Sequence, residues 1–237
     1  DRWCGAFPGR FIPLAIPMLW DPKLLADEVR RVARKGCHAI TFSDTPTAKG
    51  HPSLHSSHWD PFWKACCDEG TVVCMHIGSG TKVTLTSPDA PEAVQATNIF
   101  TNSAVSMVDF LFSGVLVRHP KLKVLYAEAQ IGWIPYVLWR MDAEWEDQFK
   151  DLSLTMPPSE YWKRQVWATY QTDPVGVKLL DELGVDKVMW GSDFPHPDGT
   201  WPDSLAILGP QLEEISAGDA RKILYENAAK LYRLTPH

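Results

Sequence analysis

The sequence has no long apolar run and no dense cluster of basic residues. A bilayer-spanning helix needs about 20 consecutive apolar residues, and no such run occurs, so no membrane partner is predicted. The 23 lysines and arginines are outnumbered by 29 aspartates and glutamates, which gives a net charge of −6. A negative chain without a basic stripe is poorly suited to a phosphate backbone. We therefore expect a small-molecule substrate and no nucleic-acid partner.

Cysteine pairs with the spacing of redox or zinc motifs are also missing. None of the five cysteines forms a C-x-x-C pair. An odd number of cysteines without framework spacing predicts reduced thiols and hence a cytoplasmic protein. Linkers and low-complexity tracts are absent too, so we expect residues 1–237 to form a single domain.

The sequence does contain an alternation of short apolar strands and amphipathic helices. Six strands are predicted, near residues 11, 38, 71, 123, 166 and 187. Such alternation predicts βα units and a parallel sheet. We interpret the fold as α/β, a TIM-type (β/α) barrel without its first two βα units. Residues before Asp1 are expected to complete it, and an open six-stranded sheet is the alternative.

Chemically useful side chains follow four of the predicted strands: His76, Glu128, Asp173 and Asp193. The carboxyl ends of parallel strands share one edge, where barrel enzymes place their chemistry. A carboxylate buried there needs a partner. Each residue also has a structural interpretation, since a lone histidine is often a core residue and Asp193 can close a turn. Both interpretations stay open at this point.

Three histidines, His51, His55 and His58, lie in the polar loop 47–59. Such a group suggests a metal site. However, no helical or strand period directs the three rings at one point. We therefore favour a pocket rim or simple exposure for them.

Three motifs carry a family resemblance: Met-His-Ile-Gly at 75–78, Tyr-Ala-Glu-Ala-Gln-Ile-Gly-Trp-Ile-Pro at 126–135, and Gly-Ser-Asp-Phe-Pro-His at 191–196. With the helix at 227–232, the chain resembles the amidohydrolase-related family, in its aminocarboxymuconate-semialdehyde decarboxylase-like branch. The resemblance implies a metal-dependent barrel enzyme that hydrolyses or non-oxidatively decarboxylates a small, carboxylated cyclic substrate. Zn²⁺ is the first expectation for the metal and Mn²⁺ the alternative. The resemblance is also compatible with a homodimer.

The resemblance assigns roles to individual residues. His76 and Asp193 match metal ligands, and Asp193 also matches the group that activates water or substrate. Glu128 stands where the family usually has an acid–base histidine. The family's first strand supplies a His-x-His or Glu-x-His pair that this chain does not contain. The substrate-binding candidates are Trp133, Arg140 and His196.

Glu128 has three open roles, as a metal ligand, a proton shuttle or the partner of Arg140 in a salt bridge, and we favour the proton shuttle. Burial would raise its pKa and a neighbouring cation would lower it. Two ligands alone do not make a catalytic zinc site. The alternative function is therefore a non-catalytic partial barrel that acts as a binding or structural module.

Overall fold

A computed structural model describes residues 3–7, 9–80, 83 and 85–234. Within these residues five parallel strands form one sheet in chain order. They are β1 (Ala39–Phe42), β2 (Val72–His76), β3 (Lys123–Ala127), β4 (Val166–Tyr170) and β5 (Val188–Trp190). All five coincide with predicted strands, so the predicted α/β fold with a parallel sheet is confirmed.

The first predicted strand, Phe11–Pro17, is reduced to a single bridge beside β1. Only Ala15 pairs there, donating to the Ala39 carbonyl at 3.0 Å and accepting from the Thr41 N–H at 2.9 Å. The prolines two residues before and after Ala15 have no N–H to extend the ladder. The prediction was therefore right in position and wrong in extent. In the described part of the chain β5 pairs only with β4, so the two edges of the sheet are not joined.

Helices cover the sheet and connect its strands. Their bounds are α1 (Pro22–Ala33), α2 (Asp60–Glu69), α3 (Glu92–Asn98), α4 (Phe100–Phe112), α5 (Val115–Arg118), α6 (Ile134–Asp147), α7 (Pro158–Gln165), α8 (Pro174–Lys178), α9 (Leu180–Leu183), α10 (Ser204–Leu212), α11 (Ala217–Arg221) and α12 (Asn227–Tyr232). None of the described helices has the length and apolar character needed to cross a bilayer.

Two local signals explain where these helices begin and break. Asp21 caps α1, its carboxylate accepting from the backbone N–H groups of Lys23 and Leu24 at 2.7 and 3.1 Å. The helical stretch between β2 and β3 is divided into α3, α4 and α5, and its second break falls at Gly114, whose φ of 76° is left-handed. Glycine adopts that conformation without steric cost.

The core divides between the two faces of the sheet because side chains alternate along each strand. Val73, Met75 and Tyr126 belong to the larger cluster, which includes Trp63 and other residues of the covering helices. The opposite face carries a smaller cluster: Ala39, Val72, Cys74, Leu125, Met189 and Leu231. Strands buried on both faces are typical of parallel sheets. The strand ends are thereby fixed, and the side chains that follow them share one rigid edge.

Candidate active site

The carboxyl edge of the sheet brings three of the predicted residues to one place. His76 is the last residue of β2, Glu128 directly follows β3, and Asp193 lies three residues beyond β5. β2 and β3 pair in register with His76 opposite Ala127, so His76 and Glu128 belong to adjacent strand ends. These positions therefore come together, as predicted, because the strands are parallel and their carboxyl ends share one edge of the sheet.

His76 and Glu128 form a close pair. The Nε2 atom of His76 lies 2.7 Å from Oε2 of Glu128, and Nδ1 lies 2.8 Å from the Ile77 carbonyl. A carbonyl oxygen only accepts, so Nδ1 carries the proton and donates it. Nε2 is left as the atom that faces the site. A histidine that donates one N–H to a carbonyl presents its other nitrogen in the way that metal-binding histidines do.

Glu128, Asp193 and His196 form a cluster of potential metal ligands. One ligand atom from each of the three lies within 4.8 Å of the others. Nδ1 of His196 is 3.1 Å from Oδ2 of Asp193 and also accepts from the backbone N–H of Asp198 at 3.3 Å. That ring nitrogen is then unprotonated, and among the described residues Oδ2 of Asp193 has no hydrogen-bond donor. Three acceptors that face each other without a donor between them suit a cation.

Burial raises the pKa of the Glu128 carboxyl group, and the negative charge of Asp193 raises it further. The positive charge that His76 can carry acts in the opposite direction. The side chain is only 21% exposed. Burial disfavours the charged form of a carboxyl group, so Glu128 is suited to hold a proton at higher pH than an exposed glutamate.

The backbone at this edge is strained. Glu128, Gln130 and Asp193 have φ values of 58°, 55° and 57°, a left-handed region that non-glycine residues seldom adopt. Each such residue costs about 1 kcal/mol or more. The hydroxyl of Thr169, on the neighbouring strand β4, accepts from the Glu128 N–H at 2.8 Å and holds that turn. Sequence reasoning missed Thr169, since a threonine inside a strand has no local signal of this role.

Asp173 follows β4 at the same edge but has a structural role. One of its carboxylate oxygens accepts from the N–H groups of Ile131 and Gly132, both at 2.7 Å, and the other from Gly176 at 2.8 Å. The carboxylate thus ties the turn after β3 to the start of α8. Of the four strand-end residues noted in the sequence, Asp173 is the one whose carboxylate binds backbone N–H groups and so stabilises the turns around the site.

The predicted substrate-binding residues are placed differently from one another. The Trp133 indole donates to the Ala129 carbonyl at 2.8 Å, within its own turn. Arg140 is 55% exposed on α6 and forms an ion pair with Glu144, one helical turn further on. The alternative salt bridge between Glu128 and Arg140 is thus not the arrangement found, because Glu128 pairs with His76.

The three loop histidines do not converge on a metal site in the described part of the chain. His55 lies 2.6 Å from the Asp109 carboxylate. His51 and His58 contact the Trp59 ring, with centroid distances of 6.1 and 4.7 Å. The loop is held by Trp59, a buried residue, and the rings point to different partners.

A cavity of about 310 Å³ adjoins His76. Its polar lining comes from Thr41, Ser43, Lys49, His76 and Ser79, and its apolar lining includes Phe42 and Leu19. Lys49 thereby brings a positive charge to the cavity beside His76, which sequence reasoning missed. It lies in the loop after β1, where a single lysine has no distinguishing motif.

Comparison with known proteins identifies the chain's relatives. A family model described as amidohydrolase matches residues 1–234. The γ-resorcylate decarboxylase of Rhodococcus jostii (strain RHA1) is 26% identical over 250 residues, covering 98% of this chain and 73% of that protein.

Two solved structures show the same fold. An amidohydrolase from Mycobacterium avium subsp. paratuberculosis K-10 aligns with a TM-score of 0.77 and 23% identity over 92% of this chain, which spans 57% of that protein's length. The 5-carboxyvanillate decarboxylase of Novosphingobium aromaticivorans DSM 12444, solved with bound manganese, aligns with a TM-score of 0.78 and 19% identity over 98% of this chain and 67% of that one. The predicted barrel-type fold is thereby confirmed. Since the family model matches nearly every residue, the chain belongs to the amidohydrolase family.

Proposed function

We propose that this chain forms most of the active site of a divalent-metal-dependent decarboxylase for a small aromatic carboxylate. The observation that carries the proposal is the cluster of Glu128, Asp193 and His196 beside His76, at the carboxyl edge of a parallel sheet. The γ-resorcylate decarboxylase relative favours decarboxylation over hydrolysis. The proposed reaction replaces the carboxylate on a ring carbon with a proton and releases CO₂, without oxidation or reduction.

The donor set fits a divalent ion. Asp193 and His196 present facing acceptor atoms beside Glu128, and Nε2 of His76 lies 2.7 Å from the Glu128 carboxylate at the edge of this cluster. We propose His76, Asp193 and His196 as the ligands. Mixed imidazole and carboxylate donors suit Zn²⁺ and Mn²⁺ alike, and manganese is bound in the Novosphingobium relative. When bound, the ion would polarise the oxygen atoms of the substrate and fix its orientation.

Glu128 is the proposed proton carrier. Loss of CO₂ from an aromatic ring requires a proton at the carbon that bears the carboxylate, and a positioned acid delivers it. Burial raises the pKa of Glu128, and a cation bound beside it would act in the opposite direction. Nε2 of His76 lies 2.7 Å from this carboxyl group, so the proposed proton carrier lies beside a proposed metal ligand.

Lys49 is the proposed partner of the substrate's negative charge. Its side chain lines the cavity that His76 also borders. An ammonium group facing an anionic ring substituent contributes to binding in both the ground state and the transition state. Phe42 and Leu19 supply apolar surface for a ring in the same cavity.

The non-catalytic alternative is less consistent with the backbone at this edge. Glu128 and Asp193 both keep left-handed φ values, 58° and 57°. Backbone strain of this kind clusters at sites of function. A structural module would gain stability from glycine or asparagine at either position.

Metal content and CO₂ release test the proposal. Purified protein is analysed for bound metal by mass spectrometry, then assayed with 2,6-dihydroxybenzoate and 5-carboxyvanillate after loading with Mn²⁺ or Zn²⁺. Asp193→Ala and His76→Ala should lose metal and keep the circular dichroism spectrum, since both lie at the catalytic edge. Unchanged metal content in both variants would overturn the ligand assignment. A metal-loaded protein that releases CO₂ from no aromatic carboxylate would overturn the reaction.

A further inference from the structure

The amino edge of the sheet, opposite the candidate active site, borders a basic cavity. Its volume is about 350 Å³, and four cationic side chains line it: Lys121, Lys123, Arg164 and Arg233. Lys123 begins β3, Arg164 lies near the end of α7, and Arg233 follows α12. Three separate parts of the chain thus bring positive charge to one place. The net charge of the whole chain is −6, so a basic composition does not explain this concentration.

Among the residues that the structure describes, no carboxylate pairs with these four cations. The Arg164 guanidinium donates to neutral acceptors, the Gln165 side-chain oxygen at 2.5 Å and the Leu116 carbonyl at 3.3 Å. Asp68, whose charge Lys121 does feel, forms its own ion pair with Lys64 at 2.8 Å. Within the described part of the chain, the cavity therefore carries positive charge that no carboxylate pairs with.

Two further features concern Lys123 and Arg233. Burial lowers the pKa of Lys123, and the nearby charge of Arg233 lowers it further. A Cβ atom at Gly70 would stand 1.7 Å from Nη2 of Arg233, so the glycine leaves its space to the guanidinium group. Like charges that lie close to one another repel. An anion between them would relieve that repulsion.

We propose that this cavity binds a small phosphate-class anion, either inorganic phosphate or a phosphate monoester, at the end of the barrel opposite the active site. Guanidinium groups bind phosphate oxygens in a bidentate way, and lysine ammonium groups add point charges. A tetrahedral dianion can meet cations that approach from several directions. A monocarboxylate offers one charge in one plane and compensates four cations less well. The cavity volume is in the range of small-molecule sites.

Calorimetric titration with sodium phosphate, at ionic strength held constant with sodium chloride, tests the proposal. Lys123→Gln and Arg233→Gln should each weaken phosphate binding by about tenfold, the size expected for one charge-assisted contact. The control for the lysine is Lys163→Gln, an exposed neighbour of Arg164 on α7 that pairs with Glu160. The control for the arginine is Arg221→Gln. In the unmodified chain Arg221 pairs with Glu226, and neither residue lines the cavity. Both controls should bind phosphate as the unmodified chain does.

No heat of binding above the sodium chloride baseline, or equal affinity in all four variants, would overturn the proposal. Arg233 is exposed, so its variant gives a result even if Lys123→Gln fails to fold. A parallel titration with phenyl phosphate separates the two sources of the anion. Tighter binding of phenyl phosphate than of phosphate assigns a monoester, and tighter binding of phosphate assigns the inorganic ion.

Discussion

Glu128 is the residue on which the proposed proton transfer depends. Its partly buried carboxyl group contacts His76 and lies within reach of Asp193 and His196. Glu128→Gln keeps the size of the side chain and removes its acid–base function. We expect kcat for CO₂ release to fall by about 100-fold or more, with metal content and circular dichroism unchanged. Near-normal turnover in this variant would exclude Glu128 from the mechanism and leave Asp193 as the proton-transfer residue.

Replacement of Lys49 tests whether this residue acts in substrate binding or in the chemical step. Since its charge is proposed to act equally on bound substrate and transition state, Lys49→Gln should raise KM by about tenfold and leave kcat within about twofold. Steady-state kinetics over a wide substrate range measure the two parameters separately. Lys150→Gln, which removes a lysine that pairs with Glu146 on α6, is the control. A fall in kcat with unchanged KM would contradict the binding role.

Asp173 stabilises the turn that carries Glu128. Asp173→Ala removes the acceptor of three backbone N–H groups. Unpaired donors are costly, so we expect a loss of about 2–4 kcal/mol in the free energy of unfolding. Urea denaturation measures this loss, and Asp181→Ala, at an exposed position on α9, should change it by less than about 0.5 kcal/mol. Equal stability of the two variants would show that the three hydrogen bonds contribute little.

At the scale of secondary-structure elements, the site depends on how closely α8 approaches the turn after β3. A Cβ atom at Gly176, the third residue of α8, would lie 2.2 Å from Cγ1 of Ile131 and 2.9 Å from Oδ2 of Asp173. Glycine is required there because the two segments touch. The helix propensity of the residue is secondary to that contact.

Replacement of helical glycines by alanine tests this packing, because the sign of the change in the free energy of unfolding depends on the space around the new Cβ atom. Gly176→Ala should destabilise the protein by about 1–3 kcal/mol, because overpacking shifts the backbone. A Cβ atom at Gly218, in α11, would have only the Ser216 hydroxyl within 4 Å among the described residues, at 3.7 Å. Gly218→Ala should be neutral or stabilising by up to about 1 kcal/mol. Chemical denaturation compares the two, and a stabilising Gly176→Ala would disprove the close contact.

Across the whole molecule, charge is distributed unevenly between the two ends of the sheet. Carboxylates gather at the carboxyl edge, and cations line the cavity at the amino edge. Lys187 belongs to the amino end, directly before β5, with its ammonium group 4.0 Å from the centre of the Trp167 ring. Burial lowers the pKa of Lys187 to about 8.

The lowered pKa of Lys187 makes stability depend on pH in a defined direction. Between pH about 8 and the ordinary lysine value of 10.5, the unfolded chain holds a proton that the folded chain has lost. This group therefore destabilises the fold fully below pH 8, and its cost falls as pH rises through that window. Lys187→Met should be more stable than the unmodified chain at pH 7, with a difference that shrinks toward pH 10. A difference independent of pH, measured by urea denaturation from pH 6 to 10, would contradict the assignment.

The sequence by itself determined the order of elements and the edge at which the chemistry lies. The strands near 38, 71, 123, 166 and 187 are all present, since short apolar runs between glycine and proline turns are local signals. Parallel order then places the residues after these strands on one edge. The convergence of His76, Glu128 and Asp193 follows from that order. The family resemblance comes from local sequence motifs, and the family model confirms it.

Only the tertiary structure decided which side chains meet. Glu128 pairs with His76 rather than Arg140, and His196 joins Asp193 in the candidate metal cluster rather than lining the substrate pocket alone. Asp173, at an equivalent strand end, binds three backbone N–H groups instead. A hydrogen bond or a metal ligand requires its atoms within about 3 Å of their partners. Such distances are set by turn geometry and by the approach of distant segments, neither of which has a local signal in the sequence.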